Sequence, residues 1–318
     1  MRAVTIVDNS LAIREHPDPR PESGEVLVAV RAAGLNAADL LQVQGLYPAP
    51  PGSPPDIPGM ELAGEVVALG GSASRFQVGD RVMALLGGGA QAELAVVHER
   101  VLMPIPDGLD WTAAGGFPEV FTTAHDALLT QAGMRMGERV LIHGAAGGVG
   151  VAAVQLAHLA GARVTASVRA EELREQVAAL GADTVIAPEA FTEHGPFDVI
   201  LELVGAVNLA GNLEALAVGG RIVVIGIGAG AHAEIDLRAV MMRRGRVMGS
   251  TMRGRSLEEK AACARRIEAE VLPALAARRL RVPVAASHPL DRAQEAYDRF
   301  AAGRKLGKVV IEVGSARD

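Results

Sequence analysis

An α/β fold with a doubly wound parallel sheet of six strands, joined to a second domain rich in short β-strands, is predicted by three observations in this 318-residue chain. Val140-Leu141-Ile142-His143 runs straight into Gly144-Ala145-Ala146-Gly147-Gly148-Val149-Gly150 and then into an apolar helical stretch, a strand, a glycine turn and a helix in succession. From about Thr112 onward, β-branched stretches alternate with helical patterns, the rhythm of βαβ units. Before that point, short β-branched stretches are separated by proline and glycine, which suits a small irregular β domain.

Each element has its own warrant, in order along the chain. The opening MRAVTIVDNS reads as a strand with a polar turn. Strands follow at Glu25 to Ala32, Ala63 to Leu69, Arg81 to Leu86 and Ala92 to Val97, with a helix over AADLLQ after Asn36. The closely spaced prolines and glycines of GLYPAPPGSPPDIPGMELAG exclude helix and predict a long surface loop. The alternating region supplies strands at Arg139 to His143, Arg163 to Val168, Thr184 to Ile186, Asp198 to Leu203, Arg221 to Ile225 and Val247 to Ser250. Gly205, Gly219, Gly220, Gly226 and Gly228 fall at strand ends, where backbone turns sharply or passes close to a ligand. A helix from Leu257 to Arg278, a short strand, a helix from Asp291 to Ala302 and a strand from Lys308 to Val313 complete the chain, with no internal repeat.

Composition narrows the function. Hydrophobic residues at 49% and charged ones at 21% describe a globular chain, and aromatics at 3% leave the core to Ala, Val, Leu and Ile. A net charge of -6 gives no basic footprint for nucleic acid or an anionic membrane. Cys263 is the one cysteine, so neither a disulfide framework nor a cysteine-rich metal site is expected. Without a signal-peptide pattern or an apolar run of membrane-spanning length, a cytoplasmic protein is expected.

The glycine turn is where a dinucleotide pyrophosphate should sit. Gly147 lets backbone approach the phosphates, Gly150 lets the helix pack closely on the strand, and the helix N-terminus offers N–H donors. The strict G-x-G-x-x-G form is broken by Ala145, which stands where the first glycine belongs. Cofactor choice falls to the end of the strand Arg163 to Val168, where an acid would bind the ribose 2′-OH and repel a 2′-phosphate. No acid is there: Val168 ends the strand, Arg169 follows and Arg174 stands a helical turn or so on. Arginine suits a phosphate, so NADPH is preferred over NADH. The other reading of Arg169 and Arg174 is that of solvated helix-end charges, diluted by Glu171, Glu172 and Glu175.

The segments GLNAADLLQVQGLYPAPPG, PGMELAGEVVALG, VGDRVMALLGGGAQAELAVV, LIHGAAGGVGVAAVQLA, GRIVVIG, GSTMRGRS and LGKVVIEV occur in this order. Over essentially its whole length the chain resembles the zinc-free NADPH:quinone oxidoreductase family of the medium-chain dehydrogenase/reductase superfamily. The resemblance implies a GroES-like catalytic domain from residues 1–120 and 253–318, a Rossmann NADP-binding domain at 121–252, and substrate and cofactor meeting in the cleft between them. It also implies that the catalytic zinc positions of relatives are filled by Asn36, Met60 and Glu119, and no cysteine lies between Leu86 and Ala95. Amide and thioether do not replace imidazole and thiolate around zinc, so no metal is expected.

Without a Lewis acid, an electron-poor acceptor such as a small quinone becomes the better substrate for direct hydride transfer. Asn36 matches the family asparagine and either donates to a carbonyl or cofactor hydroxyl or caps the following helix. Tyr47 matches the tyrosine at the cleft mouth, either stacking on a quinone and donating its proton or merely covering apolar surface. Thr123 matches the threonine near the nicotinamide, with helix packing as its other reading. The expected cofactor set is Ala146, Gly147, Gly148, Val149, Gly150, Ser167, Arg169, Arg174, Gly205, Gly226, Arg253 and Lys308. Arg253 is read as guarding the cleft or hinge, whereas Arg243, Arg244, Arg246 and Arg255 are read as solvated charges. Two departures stand out: Leu41 replaces a second tyrosine near the substrate, and a tyrosine beside the adenosine phosphate is missing near Pro188. The alternatives are an enoyl or alkenal double-bond reductase and a non-catalytic NADPH-binding sensor or structural protein. The apolar edge at Val247 to Thr251 predicts a homodimer or a tetramer.

Overall fold

A computed structural model describes residues 1–314 and divides them between two compact units. The β-rich unit holds Met1–Thr122, Met252–Gly303 and the described residues from Lys308 to Gly314; the other holds Thr123–Thr251 and Arg304–Gly307.

The β-rich unit opens with a hairpin, β1 (Arg2–Val7) and β2 (Ser10–Glu15). Asp8 and Asn9 both take positive φ at its tip (48° and 61°), the two-residue turn whose twist matches the strands. Then come β3 (Glu25–Gly34), α1 (Ala37–Val43), β4 (Glu61–Leu69), β5 (Arg81–Leu85), β6 (Leu94–His98), β7 (Leu102–Pro104) and the short helix α2 (Trp111–Gly115). The proline-rich stretch forms no helix or strand before β4, as its composition dictates. It is not surface throughout, since residues 57–60 turn inward and are buried. Helix α3 (Pro118–His125) carries the boundary between the two units, and its C-terminal end passes into a π-helical turn, Asp126–Gln131.

In the second unit the order is β8 (Arg139–Ile142), α4 (Gly148–Leu159), β9 (Arg163–Ser167), α5 (Arg174–Ala178), β10 (Thr184–Ile186), β11 (Phe197–Glu202), α6 (Leu209–Glu214), β12 (Leu216–Val224), α7 (Leu237–Arg243) and β13 (Arg246–Gly249). The six strands pair in the order β10-β9-β8-β11-β12-β13 and every ladder is parallel. This is the doubly wound sheet expected from the sequence. Its core joins Leu141, Ile200, Ile222, Phe191 and Phe197. Chain order reverses between β8 and β11, where open α/β sheets bind ligands beyond the strands' carboxyl ends.

The chain returns to the β-rich unit through α8 (Leu257–Glu270), α9 (Leu272–Ala276), β14 (Val284–Pro289), α10 (Ala293–Ala301) and β15 (Lys308–Glu312). The helix expected from Leu257 to Arg278 is therefore two helices. Pro273 lacks an N–H and its ring conflicts with a carbonyl one turn back, so α8 ends and a new helix starts with proline in its first turn. The sheet runs β14-β15-β3-β4-β5-β7, with β6 also paired to β3. Val28, Val30, Leu62, Val66, Val82, Tyr297 and Ile311 are among its buried residues. No described helix is long and apolar enough to cross a membrane.

Candidate active site

In the second unit, the turn from β8 to α4 is shaped by three glycines in different ways. Gly144 has φ of +61°, so it, and not the following residue, makes the left-handed bend. That explains why Ala145 is tolerated at a position where a glycine is usual: it is buried, and its N–H donates to the Ser167 carbonyl at 3.1 Å. Gly147 is the N-cap of α4, with its backbone extended. Gly150 has no room for a side chain, because a Cβ there would lie 2.5 Å from the Gly144 carbonyl oxygen and 2.6 Å from Ala145 Cα. The first N–H groups of the 12-residue α4, those of Gly148, Val149 and Gly150, lack intrahelical acceptors and carry the positive end of the dipole. A dinucleotide pyrophosphate fits this cradle: backbone donors converge where no side chain intervenes.

The neighbouring loops are braced from below. Glu202 ends β11 and is 3% exposed. Its Oε1 accepts from the N–H groups of Val204 at 2.7 Å and Gly205 at 2.9 Å and from Asn208 Nδ2, while its Oε2 accepts from Asn212 Nδ2 at 2.8 Å. Asn212 Oδ1 in turn lies 2.8 Å from His143 Nε2, which therefore donates. Burial holds His143 below the usual histidine value despite the nearby Glu202, so the ring is neutral at pH 7 and acts as a hydrogen-bonding strut. Gly205 (φ +136°) and Gly226 complete the packing, for a Cβ on Gly226 would lie 2.1 Å from the Leu203 carbonyl oxygen.

At the end of β9, Ser167 is buried, whereas Arg169 is exposed and makes no hydrogen bond or ion pair with a described residue. Arg174 is half-buried and its Nε donates to the Val168 carbonyl at 3.3 Å, which ties one edge of its guanidinium to the strand end.

The β-rich unit buries a polar cluster around Asn36. Asn36 Nδ2 donates to Glu61 Oε1 at 3.0 Å, and its Oδ1 accepts from Lys308 Nζ at 2.7 Å. The Lys308 ammonium also donates to the Leu35 carbonyl at 2.6 Å and pairs with Glu61 Oε1 at 2.7 Å. Glu61 Oε2 accepts from the Glu119 N–H. All three donors of the ammonium are thus spent on these internal partners, so Lys308 acts as an internal counter-ion where a cofactor contact was expected. Asn36 also starts α1: its N–H donates to Asp39, closing the capping box. Both of its sequence-based readings are modified, since amide and cap are used, yet the amide ends face Glu61 and Lys308.

Arg253 is 2% exposed, and its guanidinium donates to the Gly87 carbonyl at 2.7 Å, the Tyr47 carbonyl at 2.9 Å and Gln42 Oε1. It also lies 5.1 Å from the centre of the Tyr47 ring. Three of its five N–H donors are thus used within the β-rich unit, where the guanidinium holds the Tyr47 loop. The Tyr47 hydroxyl makes no hydrogen bond with a described residue. Met60 packs with Leu85 and Met252, with Ala38 and Cys263 alongside. Thr123 is buried and lies in the second unit by one residue, so Asn36 and Tyr47 share a unit that Thr123 does not. Leu41 is 38% exposed on α1. Among the described residues, no group of three or more His, Cys, Asp or Glu side chains is arranged to hold a metal ion.

Sequence reasoning missed Glu61, Glu202, Asn212 and His143. A signal was present for the two acids: each interrupts an apolar strand, in GMELAGEVV and DVILELVG, and an acid in such a run needs a buried partner.

Comparison with known proteins agrees with both units. A family model described as zinc-binding dehydrogenase matches residues 148–268, and one described as alcohol dehydrogenase GroES-like domain matches residues 22–107. The chain is 30% identical over 305 residues to a human quinone oxidoreductase, covering 92% of this chain and 90% of that protein. It is 35% identical over 314 residues to the polyketide synthase GfsB of Streptomyces halstedii, but spans only 5% of that protein's length. Among solved structures, the quinone oxidoreductase of Thermus thermophilus, solved also in complex with NADPH, superposes with a TM-score of 0.85 at 35% identity, covering 98% of this chain and 100% of that one.

Proposed function

The chain belongs to the quinone oxidoreductase family of the medium-chain dehydrogenase/reductase superfamily, and we propose that it is an NADPH-dependent, zinc-independent quinone oxidoreductase reducing a small quinone. The observation that carries this reading is the pairing of the α4 cradle with a β9 end that bears no acid and an exposed, unpartnered Arg169. Backbone N–H groups of Gly148, Val149 and Gly150 would hold the pyrophosphate, and Ser167, Arg169 and Arg174 the 2′-phosphate. NADPH, when bound, supplies the hydride.

What the chain itself contributes is positioning. Glu202, Asn212 and His143 fix the loops beyond β8 and β11, and the Arg253 guanidinium fixes the Tyr47 loop. Lys308 and Glu61 hold Asn36 with its amide in one orientation, so Asn36 shapes the wall of the acceptor site. The Tyr47 hydroxyl is the free proton donor among the three catalytic candidates. Met60 stands where zinc-dependent relatives place a ligand, and its thioether makes an apolar wall suited to an aromatic acceptor. In this reading residues 1–120 and 253–318 form the catalytic domain and 121–252 the NADP-binding domain of a cytoplasmic homodimer.

A second reading, an enoyl or alkenal double-bond reductase, is favoured by the match to a polyketide synthase. It needs an acid to protonate the carbon adjacent to the carbonyl, a task within reach of Tyr47. The deciding assay follows NADPH oxidation on metal-chelated protein with a quinone, an α,β-unsaturated ketone and an enoyl thioester in parallel. Turnover of the quinone alone supports the first reading. Turnover of the alkenes, abolished in Tyr47→Phe while quinone reduction persists, supports the second. NADPH binding without any turnover leaves a non-catalytic binding protein.

A further inference from the structure

The proline-rich loop that follows α1 has few hydrogen-bonding groups of its own. Five of the nine residues from Tyr47 to Pro55 are proline and lack an N–H, so the loop is held chiefly by donors from elsewhere that reach its carbonyls. Two side chains do so. Arg253 donates to the Tyr47 carbonyl at 2.9 Å, and Gln42, near the end of α1, donates through Nε2 to the Pro55 carbonyl at 3.2 Å. Gln42 also serves the first bond, because its Oε1 accepts from the Arg253 guanidinium. The amide can stand only this way round, since a guanidinium offers no acceptor and a carbonyl no donor.

Gln42 is 5% exposed, and Arg253 forms no ion pair with a described residue, so the buried charge rests on the Gly87 and Tyr47 carbonyls and the Gln42 amide. Hydrogen bonds to a buried charge are among the stronger ones, and losing this acceptor leaves a donor unmet. The middle of the loop packs on Gly87, where a Cβ would lie 2.3 Å from Ser53 Oγ and 2.8 Å from Pro50 Cγ. Both ends of the loop therefore meet on one buried amide, and with them the Tyr47 ring, 5.1 Å from the guanidinium, is placed.

We propose that Gln42 is a positioning residue of the acceptor site: by joining Arg253 to the Pro55 carbonyl it clamps both ends of the proline-rich loop and fixes where the Tyr47 ring meets the acceptor. The link to the acceptor rests on the quinone reductase reading; the clamp itself does not. Two measurements separate them. In the first, kcat and KM for 1,4-benzoquinone at saturating NADPH are compared in wild type, Gln42→Met, Gln42→Glu, Tyr47→Ala and the double variant Gln42→Met/Tyr47→Ala. Gln42→Met raises KM about tenfold and leaves kcat within about twofold. Gln42→Glu recovers part of the loss, because its carboxylate still accepts from Arg253 although the bond to Pro55 is gone. In the Tyr47→Ala background, Gln42→Met changes KM no further, as expected if Gln42 acts through Tyr47. Additive effects, or a kcat that falls with KM unchanged, overturn the proposal and leave Gln42 a general support of the fold. The second measurement needs no turnover: hydrogen exchange over residues 44–56 is followed by mass spectrometry. Exchange about tenfold faster in Gln42→Met than in wild type supports the clamp, and unchanged exchange sinks it. Faster exchange in a protein that reduces no quinone keeps the clamp and removes the quinone reading, and the same set of variants run on an α,β-unsaturated ketone then decides whether Gln42 positions Tyr47 for that acceptor.

Discussion

Asp39 shows how much a single buried side chain governs. It is fully buried, accepts from the N–H groups of Asn36 at 2.8 Å and Gly59 at 3.1 Å, and has its pKa raised to about 6 because burial outweighs those bonds and the charges of Lys308 and Arg253. Its ordinary value is 3.8, so the folded protein binds this proton more tightly than the unfolded chain does. The resulting stabilisation is complete below pH 3.8 and is lost as pH rises through about 6, a difference of about 3 kcal/mol over the full range. Asp39→Asn removes the titration. Denaturant unfolding at pH 4 and pH 6.5, which spans most of that range, should therefore show wild type losing about 2 kcal/mol relative to this variant; a constant difference would remove Asp39 from the pH response. None of this is legible from the sequence, where Asp39 is one polar letter in AADLLQ. The role of Lys308 is hidden for a related reason: a charge at the start of a strand faces solvent or a partner according to tertiary packing, and here Glu61 and Asn36 supply the partner.

The elements are easier to read than their ends. The β8 turn and α4 follow from the glycine spacing, and the strands β9 to β13 from their β-branched runs, because each of these depends mainly on local pattern. What escapes such reading depends on single residues acting in context. Pro273 splits the expected long helix into α8 and α9, and the three-residue β7 is too short to carry a periodicity. The π-helical turn after α3 leaves no trace in composition. At the glycine turn the left-handed residue is Gly144, which the sequence reading gave no role, and Gly150 is the point of closest packing. Gly150→Ala should cost about 1–3 kcal/mol in stability, since the atoms its methyl meets are backbone. It should also weaken NADPH binding at least tenfold by calorimetry, as the turn is forced off the helix end; unchanged affinity would mean that the cradle does not hold the cofactor.

Across the whole molecule, the parallel sheet ends in β13, whose outer edge has no partner among the described residues. On it and near it in the chain stand Ile235, Leu237, Met241, Met242 and Val247, each at least 40% exposed. Exposed apolar side chains together with an open strand edge suit a second copy of the chain. Light scattering should give twice the 32.9 kDa of one chain, and Val247→Asp should shift the mass to that of the monomer. A wild-type monomer at working concentration would remove the pairing. The edge is visible in the sequence, but the exposed methionines of α7 are not, since an apolar helix facing a partner looks the same on paper as one facing a core. The last strand has a different consequence. Gly34 of β3 pairs with Val310 of β15, and the whole second unit lies between them in the chain. During synthesis at about 5–20 residues per second, β3 waits some tens of seconds for its neighbour to leave the ribosome. Meanwhile the six-stranded sheet, all of whose strands emerge before β15, is free to fold first. The nascent chain thus passes through a stage in which the proposed cofactor cradle is finished while the domain that would supply its acceptor still shows an open strand edge, a window in which binding of the nucleotide can guide folding and in which a chaperone has a strand to guard.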